Sequence, residues 1–267
     1  MKVNDLAFNV QVIGSKDALI WGHGLMASMA SEDALGIFEW DVFPQKIKLV
    51  RYDARGHGQT EPSFSPEDYH WRNLAKDMIA IADDLGIKDF VAGGQSMGCA
   101  TTIYAGQLAP ERIKGLVLMN PPTAWETRAA QGEFYKQMAQ MGYQLGGTQL
   151  AQAMSGQLDR LLPGWLVEEK AEGVSGVLEG IKPLTNETLL NLLNGAALTD
   201  LPSREEIKEI DIPALILGWT GDPTHPIETA IELDNLLPQS TLIVAEKYSE
   251  LEQWPQFIRE FVSENIV

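Results

Sequence analysis

Cysteine is almost missing from this chain of 267 residues: Cys99 stands alone, which excludes any disulfide within the chain. It sits among small residues just inside a predicted helix, so it reads as core, and no metal-ligand spacing involves it. Positive charge is also scarce. Twenty Lys and Arg stand against 37 Asp and Glu, a formal net charge of −17, and such a surface repels nucleic acid and anionic membranes. Long apolar runs are missing as well. Gly115–Met119 and Ala214–Leu217 are among the longest, far short of a membrane span. The opening MKVNDLAFNVQVIG has neither the basic start nor the apolar stretch of a signal peptide. These absences predict a cytoplasmic protein with a small-molecule substrate and no nucleic-acid or membrane partner. They leave the oligomeric state open. No repeat or low-complexity tract interrupts the chain.

What is present suits a soluble globular domain: 45% of residues are hydrophobic and 21% charged, and a chain this long buries a large core without staples. Short apolar runs alternate with helical patterns. Leu6–Ile13 alternates in polarity, as an outer antiparallel strand does. Ala18–Trp21, Ile47–Tyr52, Phe90–Ala92, Leu116–Met119, Ala214–Leu217 and Thr241–Ala245 are mainly apolar and do not alternate strictly, the mark of strands buried on both faces of a parallel sheet. Leu74, Met78, Ile81, Ala82 and Leu85 form a helical stripe. Its predicted start has Ser65 as N-cap and Pro66 at the first helical position. A second helix is predicted from Met97 to about Leu108, and a last one opens near Pro255. The fold class is therefore α/β, a mostly parallel central sheet with helices on both faces. Residues 121–207 break the rhythm with helical segments and no strand signal. The division predicted is a core of 1–120 and 208–267 carrying a helical cap at 121–207.

Several predicted strands end in glycine-rich or polar residues, where a parallel sheet places its site. Gly94-Gln95-Ser96-Met97-Gly98 matches G-x-S-x-G, preceded by an apolar strand and followed by a helix of small residues. A serine on a sharp strand-to-helix turn needs glycine two positions either side, because side chains there would clash. The turn lifts the hydroxyl to the N-terminal end of a helix, whose dipole favours developing negative charge. Ser96 is the predicted nucleophile.

These residues resemble the α/β-hydrolase superfamily, especially its compact esterase and enol-lactonase-like members. Gly22-His23-Gly24 is similar to that family's oxyanion-loop motif, Asp53-Ala54-Arg55-Gly56-His57-Gly58 to its D-x-R-G-x-G turn, and Gly221-Asp222-Pro223 to its acid loop. The resemblance implies that Asp222 is the triad acid and that the backbone N–H groups of Leu25 and Met97 form the oxyanion hole. It implies no cofactor and no metal.

One departure stands out. The family carries its catalytic histidine about seven residues before the proline that opens the final helix. Here that position is Tyr248, and no histidine follows residue 225. Of the four histidines, His23 and His57 belong to the glycine turns and His70 to the start of a helix. His225, three residues after Asp222, is the expected base, because a serine hydroxyl needs one to become a nucleophile. The competing reading is a loop histidine held between Pro223 and Pro226.

The expected pocket draws on Met26, Trp125, Arg128 and Tyr248. Arg128 either binds a substrate carboxylate or, the favoured alternative, pairs with Glu126 or another cap carboxylate. The function expected is hydrolysis of a small carboxylic ester or lactone through an acyl-serine. The alternatives are C–C or thioester hydrolysis or perhydrolysis on the same scaffold, or a degenerate hydrolase that binds a small molecule or partner.

Overall fold

A computed structural model describes residues 1–38, 40, 47–171, 173–222 and 224–266, without the side chains of residues 159 and 160. The main sheet has seven strands: β3 (Val10–Ile13), β4 (Asp17–Gly22), β5 (Ile47–Tyr52), β6 (Phe90–Gln95), β7 (Ile113–Met119), β8 (Ala214–Trp219) and β9 (Ser240–Ala245). They lie in the order β3-β5-β4-β6-β7-β8-β9. Only β3 is antiparallel, paired with β5 so that Val10 faces Tyr52. The alternating Leu6–Ile13 segment is divided. Its first part, β2 (Leu6–Ala7), pairs with β1 (Lys2–Val3) in a separate two-stranded sheet, and only the remainder joins the main one.

The apolar strands serve two cores at once. Ile20, Val50, Ala92, Leu118 and Ile216 face one side of the sheet. Leu19, Leu49, Val91, Val117 and Leu217 face the other. Helices α2 (Trp71–Asp84), α3 (Met97–Leu108) and α8 (Ile227–Leu236) cover the first side. Helices α1 (Met29–Leu35), α9 (Tyr248–Leu251) and α10 (Trp254–Asn265) cover the second. Side chains on both faces of a strand are thereby removed from water, which is why these runs do not alternate in polarity. Cys99 is wholly buried in the first core, and burial pushes its thiol pKa up.

The start of α2 differs from the sequence expectation. Ser65 makes no capping bond; its hydroxyl donates to Glu67, and Pro66–Tyr69 forms a single 3-10 turn. His70, at φ −56° and ψ 133°, interrupts the run before α2 begins at Trp71.

Between β7 and β8 the described chain is helical. It contains α4 (Arg128–Met154), α5 (Gly164–Glu169), α6 (Asn186–Ala197) and α7 (Arg204–Lys208), with 3-10 segments between α4 and α5 and between α5 and α6. Helix α4 breaks at Gly146, where φ is 74° and ψ 165°. Helices α4 and α6 pack on each other through a third core that includes Met138, Leu150, Leu189 and Leu193. Leu25 and Met26, from the loop after β4, pack against that core.

The turn from β6 into α3 fits only because two glycines lack side chains. A Cβ on Gly98 would stand 1.9 Å from the Gly22 carbonyl oxygen, and one on Gly94 would stand 2.5 Å from the Gly98 carbonyl carbon. Gly98→Ala is expected to cost about 3 kcal/mol, because backbone rather than a flexible side chain would have to give way. Gly156→Ala, where a Cβ meets nothing within 4 Å, is the control. Thermal unfolding of the two variants checks this, with equal midpoints as the contrary result.

Candidate active site

Strands β6, β7 and β8 are neighbours in a parallel arrangement, so the turns that leave their C-terminal ends gather at one edge of the sheet. Ser96 lies in the turn after β6 with φ 54° and ψ −108°. This is sparsely populated backbone for a residue with a side chain, a strain of about 1–3 kcal/mol held by the surrounding structure. Its N–H donates to the Met119 carbonyl at 3.0 Å. Met97 opens α3, so its N–H lies in a first turn that has no intrahelical acceptor. Asn120 comes directly after β7, at φ 43°, with both polar atoms of its amide buried and without a protein partner among the described residues.

Asp222 and His225 lie in the turn after β8. Asp222 is buried and accepts at both oxygens. Trp219 Nε1 donates to Oδ2 at 2.9 Å, and the Thr224 N–H and hydroxyl donate to Oδ1 at 2.8 and 2.6 Å. His225 Nδ1 meets Oδ2 at 2.7 Å. Burial alone would raise the pKa of Asp222. The facing imidazole and the hydrogen bonds from His225 and Thr224 outweigh it and take the carboxyl down to about 2. With Nδ1–H donating to the carboxylate, the neutral ring leaves Nε2 as an acceptor. Pro223 lies outside the described residues.

Ser96 and His225 both line one cavity of about 150 Å³, together with Gly24, Leu25 and Met26. No hydrogen bond joins Ser96 to His225 in the structure. Helix α4 contributes Gln131, Phe134, Tyr135 and Met138 to the cavity wall. The loop carrying Gly24 and Leu25 is pinned by His23. The Ala54 N–H donates to His23 Nε2 at 2.9 Å, so Nδ1 carries the proton and donates to the Gly24 carbonyl at 2.8 Å. His57 lies edge-on to His23 at 5.0 Å. Burial, with a smaller contribution from His23, holds its pKa down at about 3, so it stays neutral.

The structure places three of the expected pocket residues elsewhere. Trp125 lies against Arg204, whose guanidinium is 4.4 Å from its ring, and donates from Nε1 to the Pro202 carbonyl at 3.0 Å. Tyr248 packs into the second core beneath Lys170, whose Nζ is 4.8 Å from the ring. Arg128 neither faces the cavity nor pairs with Glu126, which Arg204 holds instead. It is buried against Trp71 at 4.3 Å, and it donates to the Thr199 carbonyl at 2.7 Å and the Ala196 carbonyl at 2.5 Å. Those acceptors are main-chain groups at and beyond the end of α6, which no side-chain pattern marks.

Sequence reading misses Glu32, a carboxylate from α1 that lines the same cavity. No motif flags it, although it lies within ten residues of Gly24. Among the described residues, no group of three His, Cys, Asp or Glu side chains is placed to hold a metal ion.

Residues 23–255 match the family described as alpha/beta hydrolase fold, and the chain belongs to that family. It is a hydrolase. It is 26% identical over 249 residues to 3-oxoadipate enol-lactonase 2 of Acinetobacter baylyi, covering 92% of this chain and 87% of that one. Proline iminopeptidase of Neisseria gonorrhoeae is 33% identical over 117 residues, 42% of this chain and 36% of that one. Among solved structures, a thermophilic esterase from Thermogutta terrifontis superposes with a TM-score of 0.84 at 18% identity, covering 98% and 95% of the two chains. The enol-lactonase from Burkholderia xenovorans LB400 does so with a TM-score of 0.78 at 20% identity, covering 98% and 97%.

The depressed pKa of Asp222 makes it a source of stability whose sign is fixed. Its ordinary value is 3.8 and its folded value about 2. The carboxylate therefore contributes about 2 kcal/mol, fully present above about pH 5 and lost as pH falls towards 2. Urea unfolding of Asp222→Asn is expected to show a deficit of that size at pH 7 that narrows at pH 3. A deficit that does not change with pH would contradict this origin.

Proposed function

We propose that this hydrolase cleaves a small carboxylic ester or lactone through an acyl-serine, with Ser96 as nucleophile, His225 as general base and then acid, and Asp222 as the group that orients His225. The observation that carries the reading is that Ser96, on a strained turn at the head of α3, opens into the same cavity as a histidine held by a buried carboxylate. The enol-lactonase and esterase likenesses agree with this substrate class.

In this mechanism Nε2 of His225 takes the hydroxyl proton as Ser96 Oγ attacks the carbonyl carbon. The imidazolium so formed is stabilised by Asp222, already ionised. The negative charge that develops on the carbonyl oxygen is held by the N–H groups of Leu25 and Met97, a pair of donors worth about 3–4 kcal/mol each. The imidazolium then protonates the leaving oxygen, and water, deprotonated by the same nitrogen, releases the acid. Contacts between nucleophile and base are commonly long in empty sites and tighten with substrate bound. The mechanism accordingly requires Nε2 and Oγ to come within about 3 Å when substrate fills the cavity. The helical segment 121–207 acts as the cap: its α4 side chains line the cavity into which Ser96 opens and exclude water from the acyl group.

A fluorophosphonate probe followed by mass spectrometry tests the assignment. Labelling is expected at Ser96 in the wild type and is lost in Ser96→Ala and His225→Ala. Ester turnover by either variant is expected to fall about 10⁴-fold or more. Undiminished turnover in His225→Ala, with Ser96 still labelled, would overturn His225 as the base.

A further inference from the structure

The charge on the cavity wall differs from what an acidic substrate needs. Among its described lining residues, Glu32 and His225 are the only ones able to carry charge near neutral pH, and no Lys or Arg is present. The remaining wall is mainly aliphatic, aromatic and methionine side chains, such as Leu35, Phe134, Met138 and Ile181. The arginines nearby are turned away from it. Arg128 gives its donors to main-chain carbonyls. Arg51 stands behind Glu32, gives Nη1 to Asp33 at 2.8 Å, and divides Nη2 between the Met29 carbonyl at 3.0 Å and Glu32 at 3.2 Å.

Glu32 is held in place from behind. Trp21 Nε1 donates to one of its oxygens at 3.0 Å and Arg51 to the other. Its side chain is only 11% exposed. Burial pushes its pKa up, and Arg51, His23 and Trp21 offset part of that rise. Glu32 lines a mainly apolar wall with each oxygen accepting one hydrogen bond and keeping one acceptor position, and because Arg51 is shared with Asp33 and is not among the lining residues, the three side chains leave a net negative charge beside the cavity. A second carboxylate brought there would lose its hydration and meet a like charge, which disfavours its binding.

We propose that Glu32 is a specificity-determining residue that bars carboxylate-bearing acyl groups, so that the site takes esters or lactones whose acyl part is apolar and uncharged. This rests on the Ser96 reading for the position of the acyl group, while the charge filter itself is a property of the wall.

The test uses two chromogenic esters of equal acyl length at pH 8, p-nitrophenyl hexanoate and the mono-p-nitrophenyl ester of adipic acid, which ends in a carboxylate. The wild type is expected to favour the neutral ester in kcat/KM by about 100-fold, and Glu32→Gln to narrow that ratio about tenfold, mainly by lowering KM for the charged ester. Comparable turnover of both esters by the wild type would overturn the proposal, as would an unchanged ratio in a folded variant. Calorimetric binding of hexanamide and hexanoate to the wild type needs neither catalysis nor the variant. Hexanamide is expected to bind at least tenfold more tightly. Equal affinities, or no binding of either, would overturn the filter. If neither ester is hydrolysed and Ser96 resists the fluorophosphonate while the amide still binds selectively, the Ser96 reading fails and the filter stands.

Discussion

Backbone meets backbone where Gly98, at the head of α3, lies against the carbonyl of Gly22 at the end of β4. That contact sets how closely α3 approaches the sheet, and with it the height at which Ser96 stands above the strand ends. It also places Gly22 directly before the loop that carries His23, Gly24 and Leu25. One steric constraint therefore positions the strained serine and the start of the loop beside it, where a Cβ on Gly24 would stand 3.7 Å from Ser96 Cβ. The strain at Ser96 persists because both sides of the turn are fixed, by the parallel pairing of β6 with β4 and β7 and by a helix buried in the first core.

Away from this turn the protein handles buried charge by internal satisfaction. Arg55 is paired with Asp77 through two hydrogen bonds. Arg51 shares Glu32 and Asp33, and Arg128 uses main-chain carbonyls and aromatic faces. Breaking one partner of such a group leaves the other charged and dry, which is the costly event. Arg128 also ties the head of α4 to the end of α6, so the helical segment owes part of its placement to a cation that the strongly acidic composition does not advertise. Against that pattern, Glu32 is the carboxylate-bearing residue that also lines the cavity, with both oxygens accepting hydrogen bonds.

How much of this is legible in the sequence depends on whether the cause is local. Ile47–Tyr52 is readable to its last residue, because its apolar residues run past Lys48 and Arg51 without strict alternation, as in a strand packed on both faces. The limits of α3 come from the glycine turn before it and Pro110 after it. The start of α2 is not readable in this way, because the Ser65 hydroxyl has a nearer partner in Glu67 than the helix it is expected to cap. At the site, Ser96, Leu25, Met26 and His225 share a cavity, and Asp222 is bonded to His225. Trp125, Arg128 and Tyr248 lie elsewhere because their surroundings are assembled from segments distant in sequence: Pro202 and Arg204, the end of α6, and Lys170. Glu32 is invisible for the same reason, since its donors Trp21 and Arg51 come from two different strands.

The pairing of Asp222 with His225 spans four consecutive residues. Where an acid and a base sit on different loops, their alignment depends on two independent lengths of chain, and a shift in either one spoils it. Here the Asp222 carboxylate and the His225 imidazole ride on a single turn, tied to the end of β8 by the Trp219 donation to Asp222. Any displacement of that turn carries the two together, leaving their mutual bond intact and altering only their reach towards the serine. Insertions around β9 are thereby decoupled from the geometry of the pair.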